Sequence, residues 1–249
     1  MEVHHHPDIR KKNFKEYIFE GLMIFMAVTL GFFAERLREN LAEHSKEREF
    51  IVSMIEDAQT DIINIQKTIS LNKMRVLKLD TLAEGCFNYG TPGNDDACLY
   101  SVIKACIQHP DFVCPVERTM LQLKNAGSMR LIQRSDAVES IILYDEMTKK
   151  LLNQQGYYEL HLRVLIDQTE QLFNLKCFPL NHHTLRWESD PDGLASAKLI
   201  NQNKNSIIEF GNKAKIFQGI VMFYLVRLEE AKQHALNLIK TLKKEYRVK

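Results

Sequence analysis

The stretch IIEFGNKAKIFQGIVMFYLVRLEEAKQHALNLIKTL, residues 207–242, decides the fold class of this chain. Apolar side chains recur along it at alternating intervals of three and four residues, which is the period of one face of an α-helix. The residues of this face are Ile207, Phe210, Ala214, Phe217, Val221, Tyr224, Leu228, Ala231, Ala235, Leu238 and Leu242. The mostly apolar run 216–226 inside it is too short to span a bilayer. We therefore expect a long helix at the centre of a helical core.

A second apolar stripe precedes it, with neither Pro nor Gly between Ala34 and Glu84. This predicts one long helix that continues from the N-terminal region to about Cys86. Its members are Ile51, Ile55, Ala58, Ile62, Ile65, Ile69, Val76, Leu79 and Ala83. A coiled-coil seam has the same spacing, but packing within a bundle explains the stripe as well and is the interpretation we favour.

Turn residues and helix caps divide the rest of the chain. Loops are expected near 87–97, 109–115 and 178–194, where Gly and Pro gather. Asp96 is placed to cap a short helix, and Gly127 to end the next one. Asp136 and Glu139 resemble a capping box that opens a long helix reaching about Lys176. Together these segments predict an all-α fold, an antiparallel bundle of roughly four helices.

Residues 17–34, YIFEGLMIFMAVTLGFFA, form an apolar segment near the N-terminus. As a helix these eighteen residues would rise about 27 Å, close to the thickness of a bilayer core. The sequence AERLREN that begins at Ala34 lacks the small-residue pattern of a signal-peptide cleavage site. We therefore predict a retained transmembrane helix at 17–34, preceded by a short basic tail, 1–16, and followed by a helical bundle domain, 35–249.

Basic residues near the two ends of this segment bear on its orientation. Four precede it and four follow it: Arg10, Lys11, Lys12 and Lys15, then Arg36, Arg38, Lys46 and Arg48. The count is a tie, but the first group is packed into a very short tail, and long domains are translocated largely regardless of charge. We expect the N-terminus in the cytoplasm and the bundle domain outside it.

An acidic residue, Glu20, lies inside the apolar segment. On an ideal helix Glu20, Ala27, Gly31 and Ala34 share one face to within about 40°. Small residues allow close approach of another membrane helix, and an ionisable residue beside them suggests a functional contact. The alternative is that Glu20, one turn from the end, extends to the interface and meets water or Lys15 and Lys12.

Five cysteines are too few for a disulfide-stapled scaffold. In an oxidising compartment a disulfide can form among Cys86, Cys98, Cys106 and Cys114, while the alternative is that all are buried as free thiols. No paired CxxC spacing is present, and Cys106, His109 and Cys114 offer too few ligands for us to expect a metal.

The irregular segment FPLNHHTLRWESDPDG, residues 178–193, contains the single tryptophan, Trp187, with His182 and His183. These three residues are candidates for a binding loop. A tryptophan in such a place more often covers the end of a core, and adjacent histidines do not face together on a regular element. We therefore favour a core role for Trp187 and expect no metal here.

Charge and motifs exclude several classes of function. The 33 basic and 32 acidic residues are nearly balanced and form no basic stripe, so nucleic-acid binding is not expected. The phosphate-binding, dinucleotide-binding, zinc-protease and serine-hydrolase motifs are missing from the sequence. We expect neither an enzyme nor a cofactor.

Two segments, FEGLMIFMAVTLGFFAERLREN (residues 19–40) and ERTMLQLKNAGSMRLIQRSDAVESIILYDEM (117–147), resemble a group of uncharacterised single-pass membrane proteins of Bacteroidota. In the second segment Leu123, Lys124, Gly127 and Leu131 match that group best. The resemblance implies an N-terminal membrane anchor and a helical domain of unknown function. In a bacterium, the orientation expected above places the anchor in the inner membrane and that domain in the periplasm. It implies no activity.

Two functions fit these expectations. The first is a membrane-anchored interaction or scaffold protein whose partners are the lipid bilayer and, through the transmembrane helix, itself or another membrane protein. The second is an extracytoplasmic sensing or ligand-binding bundle that acts through a membrane partner, because helical bundles often hold ligands between their helices.

Overall fold

The computed structural model describes residues 13–110, 112–125, 127–183 and 186–248, so most of the predicted basic tail lies outside the described residues. The described chain is all-helical, as predicted. Its six α-helices are α1 (Phe14–Phe87), α2 (Asp96–Ile107), α3 (Arg118–Asn125), α4 (Ser135–Leu172), α5 (Pro191–Ser196) and α6 (Lys204–Tyr246). Two 3-10 turns, Ser128–Leu131 and Leu175–Cys177, and a two-stranded antiparallel hairpin, β1 (Leu180–Asn181) and β2 (Arg186–Trp187), complete it.

The chain divides into two compact units, Met1–Phe50 and Ile51–Lys249. The described part of the first unit is helix α1 alone, whose side chains there are exposed almost throughout. The second unit contains the rest of α1 and all other elements, and it holds the hydrophobic core. The continuous helix predicted to run to about Cys86 is observed, ending at Phe87.

The core of the second unit lies between the long helices α1, α4 and α6. Every residue of the predicted apolar face of α6, from Ile207 to Leu242, is buried. On α1 the predicted stripe is buried as well, apart from Ile62 and Val76, which are half-buried. Burying one large apolar side chain contributes about 1.5–3 kcal/mol, so these faces supply the main driving force for packing.

Aromatic rings fill the centre of this core. Tyr158 of α4 contacts Phe217 and Tyr224 of α6 with ring centroids 5.0 and 5.4 Å apart, both in edge-to-face geometry. Phe112, between α2 and α3, adds edge contacts of 5.3 Å to Tyr158 and 6.0 Å to Tyr224. Each such pair adds about 0.5–1.5 kcal/mol beyond the area that it buries.

Polar pairs record how α6 lies along α1. Lys232 donates to Gln66, Lys73 approaches Glu229 at 3.7 Å, and Lys215 contacts Asp80 at 2.9 Å. Residue numbers rise along α1 while they fall along α6.

Helices α2 and α3 and the segment between them return along α1. A Cβ added to Gly85 would lie 2.8 Å from Leu99 of α2, so α2 begins against the end of α1. Farther back along α1, Arg75 donates to the carbonyl of Gln108, and Asp61 accepts from the backbone of Val116. The two short helices and the segment between them thus pack along α1 from its C-terminal end back to Asp57.

The predicted N-cap of α2 is wrong. The N-cap of α2 is Asp95, whose side chain accepts from the Cys98 N–H at 3.0 Å, while Asp96 is the first helical residue. Asp96 is instead buried and accepts hydrogen bonds from Tyr89, from the Leu199 N–H at 3.3 Å and from Gln202 at 3.1 Å. Burial thus gives this carboxylate tertiary partners in place of a local one.

The start of α4 also differs from the prediction. The helix begins at Ser135, its N-cap residue Arg134 makes no side-chain capping bond, and it ends at Leu172 rather than near Lys176. Helix α3, in contrast, is followed by Gly127 in the left-handed conformation (φ 61°), where glycine is favoured and where the sequence placed it.

Two glycines of α6 provide a matched test of this packing. A methyl group at Gly211 would lie 2.8 Å from Cys86 Cβ and 2.9 Å from the Phe87 ring, whereas one at Gly219 would meet no atom within 4 Å. We expect Gly211→Ala to destabilise the protein by about 1–3 kcal/mol through overpacking. Gly219→Ala should stabilise it by up to about 1 kcal/mol through helix propensity.

The measurement is the midpoint of denaturant unfolding, followed by circular dichroism on the full-length protein in detergent. Shifts of the two variants in the same direction would contradict the close approach of α6 to the end of α1.

Candidate functional site

The first candidate site is the apolar part of α1. One window of 18 residues in this helix is long and apolar enough to cross a membrane, and none of its residues is buried. Large apolar side chains are mostly exposed on its surface, with Phe32 75 % and Phe25 67 % exposed. By length and composition, α1 is a helix that could span a membrane.

The predicted packing face lies on this part of α1. Ala27, Gly31 and Ala34 are exposed, and a Cβ added to Gly31 would meet no atom within 4 Å. Glu20 is half-buried. The face is therefore sterically open to another helix.

A second group of functional interest consists of two buried acids on α1. Asp57 accepts hydrogen bonds from Arg118 at 2.7 Å and from both the N–H and the hydroxyl of Thr119, at 3.1 and 2.6 Å. Asp61, one turn later, accepts from the backbone N–H of Val116 at 2.9 Å. These bonds fix the start of α3 to α1.

Asp61 also joins α1 to α4, because the hydroxyl of Tyr144 donates to it at 2.5 Å. Desolvation raises the pKa of the Asp61 carboxyl, the hydrogen bond from Tyr144 acts in the opposite direction, and the nearby charge of Asp57 adds to the rise. Burial, followed by the charge of Asp61, also raises the pKa of Tyr144. The hydroxyl thus remains a donor, and these hydrogen bonds form a buried clamp that joins α1 to α3 and to α4.

Sequence reasoning did not single out these acids, although a signal was present. A second line at helical spacing runs along α1 and shares only Ile65 with the apolar stripe. Its six members are all buried: Met54, Asp57, Asp61, Ile65, Thr68 and Asn72. Charged and polar residues default to the surface, so this line reads as a solvated face. Its partners lie far away in sequence, which is why it was missed.

The third candidate is a cleft between α1 and the segment that follows α2. Arg75 is held in it by two bonds: its guanidinium donates to the Tyr158 hydroxyl at 2.6 Å and to the Gln108 carbonyl at 2.5 Å. The guanidinium carbon also lies 5.9 Å from the centre of the Tyr158 ring. Lys78, one turn later on α1, lines the same cleft, and so does His109.

The hairpin loop differs from the prediction. Trp187 is 39 % exposed and does not belong to the core. Its hairpin consists of only two residue pairs. His182 and His183 are exposed beside it. These three residues remain predictions for a binding loop, since no element packs over them to form a pocket in the described chain.

All five cysteines are free thiols in the structure. Cys86, Cys106 and Cys177 are buried, Cys98 is half-buried and Cys114 is exposed. Burial raises the pKa of Cys86 and of Cys106 to about 12. The predicted disulfide stays a prediction that depends on the compartment.

Within the described ranges, no three His, Cys, Asp or Glu side chains are grouped so that they could hold a metal ion. Comparisons of the chain with protein-family models, with curated proteins and with solved structures find no match. Function is therefore argued from the side chains themselves.

The buried clamp predicts unequal effects for two neighbouring acids. Asp57→Ala should destabilise the protein by about 2–4 kcal/mol, because it leaves the buried donors of Thr119 without an acceptor. Glu56→Ala removes the same charge from an exposed position 3.9 Å from Arg118, and it should change stability by less than about 0.5 kcal/mol. Equal unfolding midpoints for the two variants would show that the clamp does not hold α3.

The thiols predict an order of alkylation at neutral pH. Cys114 should react first, whereas Cys86 and Cys106 should stay protected until unfolding, because the thiolate is the reactive form and burial suppresses it. Mass spectrometry of labelled peptides over time gives the order. Labelling of Cys106 as fast as Cys114 would contradict the core, and any thiol that resists labelling after unfolding without reductant would indicate the predicted disulfide.

Proposed function

We propose that this chain is a single-pass membrane-anchored protein whose transmembrane helix packs against itself or another membrane protein, and whose helical domain serves as an interaction scaffold. The observation that carries the proposal is the apolar part of α1, none of whose side chains is buried within the protein. A soluble core helix would bury one face of such a segment.

The free energy of exposure supports a lipid environment. Each fully exposed Phe, Leu, Ile, Met or Val forgoes about 1.5–3 kcal/mol relative to an apolar surrounding. Between Tyr17 and Phe33 most side chains are of these kinds, and all of those large apolar groups are more than half exposed. A bilayer removes this cost because the rise of eighteen helical residues, about 27 Å, nearly matches its hydrocarbon core.

We infer that the span occupies 17–34 in a bacterial inner membrane, with the N-terminus in the cytoplasm and the following domain in the periplasm. Arg36 and Arg38 flank its end as interfacial residues, and Arg38 forms an exposed ion pair with Glu35. In the domain, we take α1, α4, α6 and the broken α2–α3 column as the four columns of an antiparallel bundle.

The face of Glu20, Ala27, Gly31 and Ala34 is our candidate for helix–helix contact. Small residues let two backbones approach closely, and membrane helices associate chiefly through such packing because lipid offers no hydrophobic drive between them. Phe25 and Phe32 lie roughly opposite this face and would meet lipid. If Glu20 contributes a bond inside the contact, Glu20→Gln should weaken association; if it only extends to the interface, the change should be neutral.

The test uses two glycines of the same span. Gly31→Leu places a bulky group on the proposed face, whereas Gly21→Leu places the same group about 100° away from Glu20. Neither position has an atom within 4 Å of an added Cβ, so neither change should disturb the fold. We expect Gly31→Leu to shift the oligomer or complex toward the monomer and Gly21→Leu to leave it intact.

The measurement is the mass of the full-length protein purified from membranes in mild detergent, with co-purified partners identified. An unchanged mass for Gly31→Leu would exclude this face as the contact. Extraction of the protein from membranes by alkaline wash without detergent would overturn the anchor itself.

A further inference from the structure

We infer that the cleft between α1 and the segment after α2 binds a small organic anion: a carboxylate or phosphate group that carries a short apolar tail. This goes beyond membrane anchoring and gives the ligand-binding alternative a defined position in the second unit. The inference rests on two cations with different surroundings, on the walls of the cleft and on its size.

The first cation, Arg75, is positioned before any ligand arrives. Its two bonds to Tyr158 and Gln108 fix the guanidinium plane, and the Tyr158 hydroxyl is itself fixed because it donates to Asn72 at 3.0 Å. Tyr158 and Asn72 are both buried, so this support is rigid. A guanidinium has five N–H donors, and these two bonds leave others for an anion.

The second cation, Lys78, lies three residues after Arg75 and therefore on the same side of α1. It is half-buried, and it forms no ion pair with a carboxylate in the described part of the chain. Both cations lie near enough to the buried thiol of Cys106 to lower its pKa, against the larger effect of burial. Arg75 and Lys78 thus bring two positive charges to the same cleft.

Among the described residues that line the cleft, no acidic side chain balances the positive charges of Arg75 and Lys78. Other lysines of the long helices do have such partners, as Lys215 has Asp80 and Lys232 has Glu229. A concave site with unbalanced charge of one sign concentrates counter-ions of the other. The cleft is therefore suited to an anion rather than to a cation or a neutral ligand.

The walls and the volume define the rest of the ligand. Leu71, Met74 and Pro110 provide apolar surface next to the two cations. The cavity volume is about 270 Å³, just below the usual range for drug-sized ligands of about 300–1,000 Å³. The occupant is therefore small, with its anionic group on Arg75 and Lys78 and a few carbon atoms against the apolar wall.

The test measures binding of four probes to the full-length protein in detergent by isothermal titration calorimetry. The probes are inorganic phosphate, butanoate, butyl phosphate and, as a neutral control, butanol. We expect saturable binding of butanoate or butyl phosphate, weaker binding of inorganic phosphate because it lacks the tail, and no binding of butanol. Whichever tailed anion binds more tightly identifies the headgroup.

Two lysine variants locate the site. Lys78→Gln should weaken binding of the tailed anion about tenfold, the loss of one charge-assisted hydrogen bond. Lys67→Gln removes the same charge from an exposed position about three turns earlier on α1 and should leave the affinity unchanged. Within the described ranges Lys78 has no hydrogen bond or ion pair, so its substitution should preserve the unfolding midpoint.

Failure of all three anions to bind would overturn the inference, as would equal weakening by the two lysine variants or binding of butanol as tightly as butanoate. None of these outcomes bears on the membrane anchor, which is tested by extraction and by the glycine variants. The two proposals therefore fail separately.

Discussion

Tyr158 of α4 connects the three long helices through its ring and its hydroxyl. Its ring packs between Phe217 and Tyr224 of α6, while its oxygen bonds to Asn72 and Arg75 of α1. A fully buried hydroxyl must find partners inside the protein, and burial raises its pKa to about 12, so it keeps its proton at physiological pH. The same bonds that satisfy this oxygen aim the guanidinium at the cleft. Core packing and the candidate anion site thus share one side chain.

Much of the fold follows from apolar periodicity. The faces of α1 and α6 were predictable because each is a single stripe with few interruptions, and such a stripe determines both the element and its buried side. The glycine after α3 was predictable for a local reason, the left-handed backbone at Gly127. Caps were harder to predict: Asp96 has the right residue type for a cap, but three tertiary donors compete for it successfully.

The candidate sites also differ in how far the sequence predicts them. The predicted packing face of Glu20, Ala27, Gly31 and Ala34 lies within one helix, so helical geometry alone assembles it from the sequence. In the cleft, Arg75 donates to the carbonyl of Gln108, which is distant in sequence and belongs to no helix. Neither residue type predicts this contact. Trp187 illustrates the opposite error, because its residue type suggests a core position while its side chain on the short hairpin is partly exposed and lies outside the core.

The buried acids on α1 also bear on how the segment from α2 to α3 is aligned along this helix. An apolar stripe alone does not fix that alignment, because sliding a neighbouring segment by one helical turn exchanges one aliphatic contact for another. Asp57 and Asp61 constrain the alignment more strictly: after a slide of about 5.4 Å at most one of them could meet a backbone N–H, that of Thr119 or Val116, and the other acid would stay buried without its donors. The two acids therefore favour one register of the segment from α2 to α3 along α1, among several that the apolar contacts alone would allow.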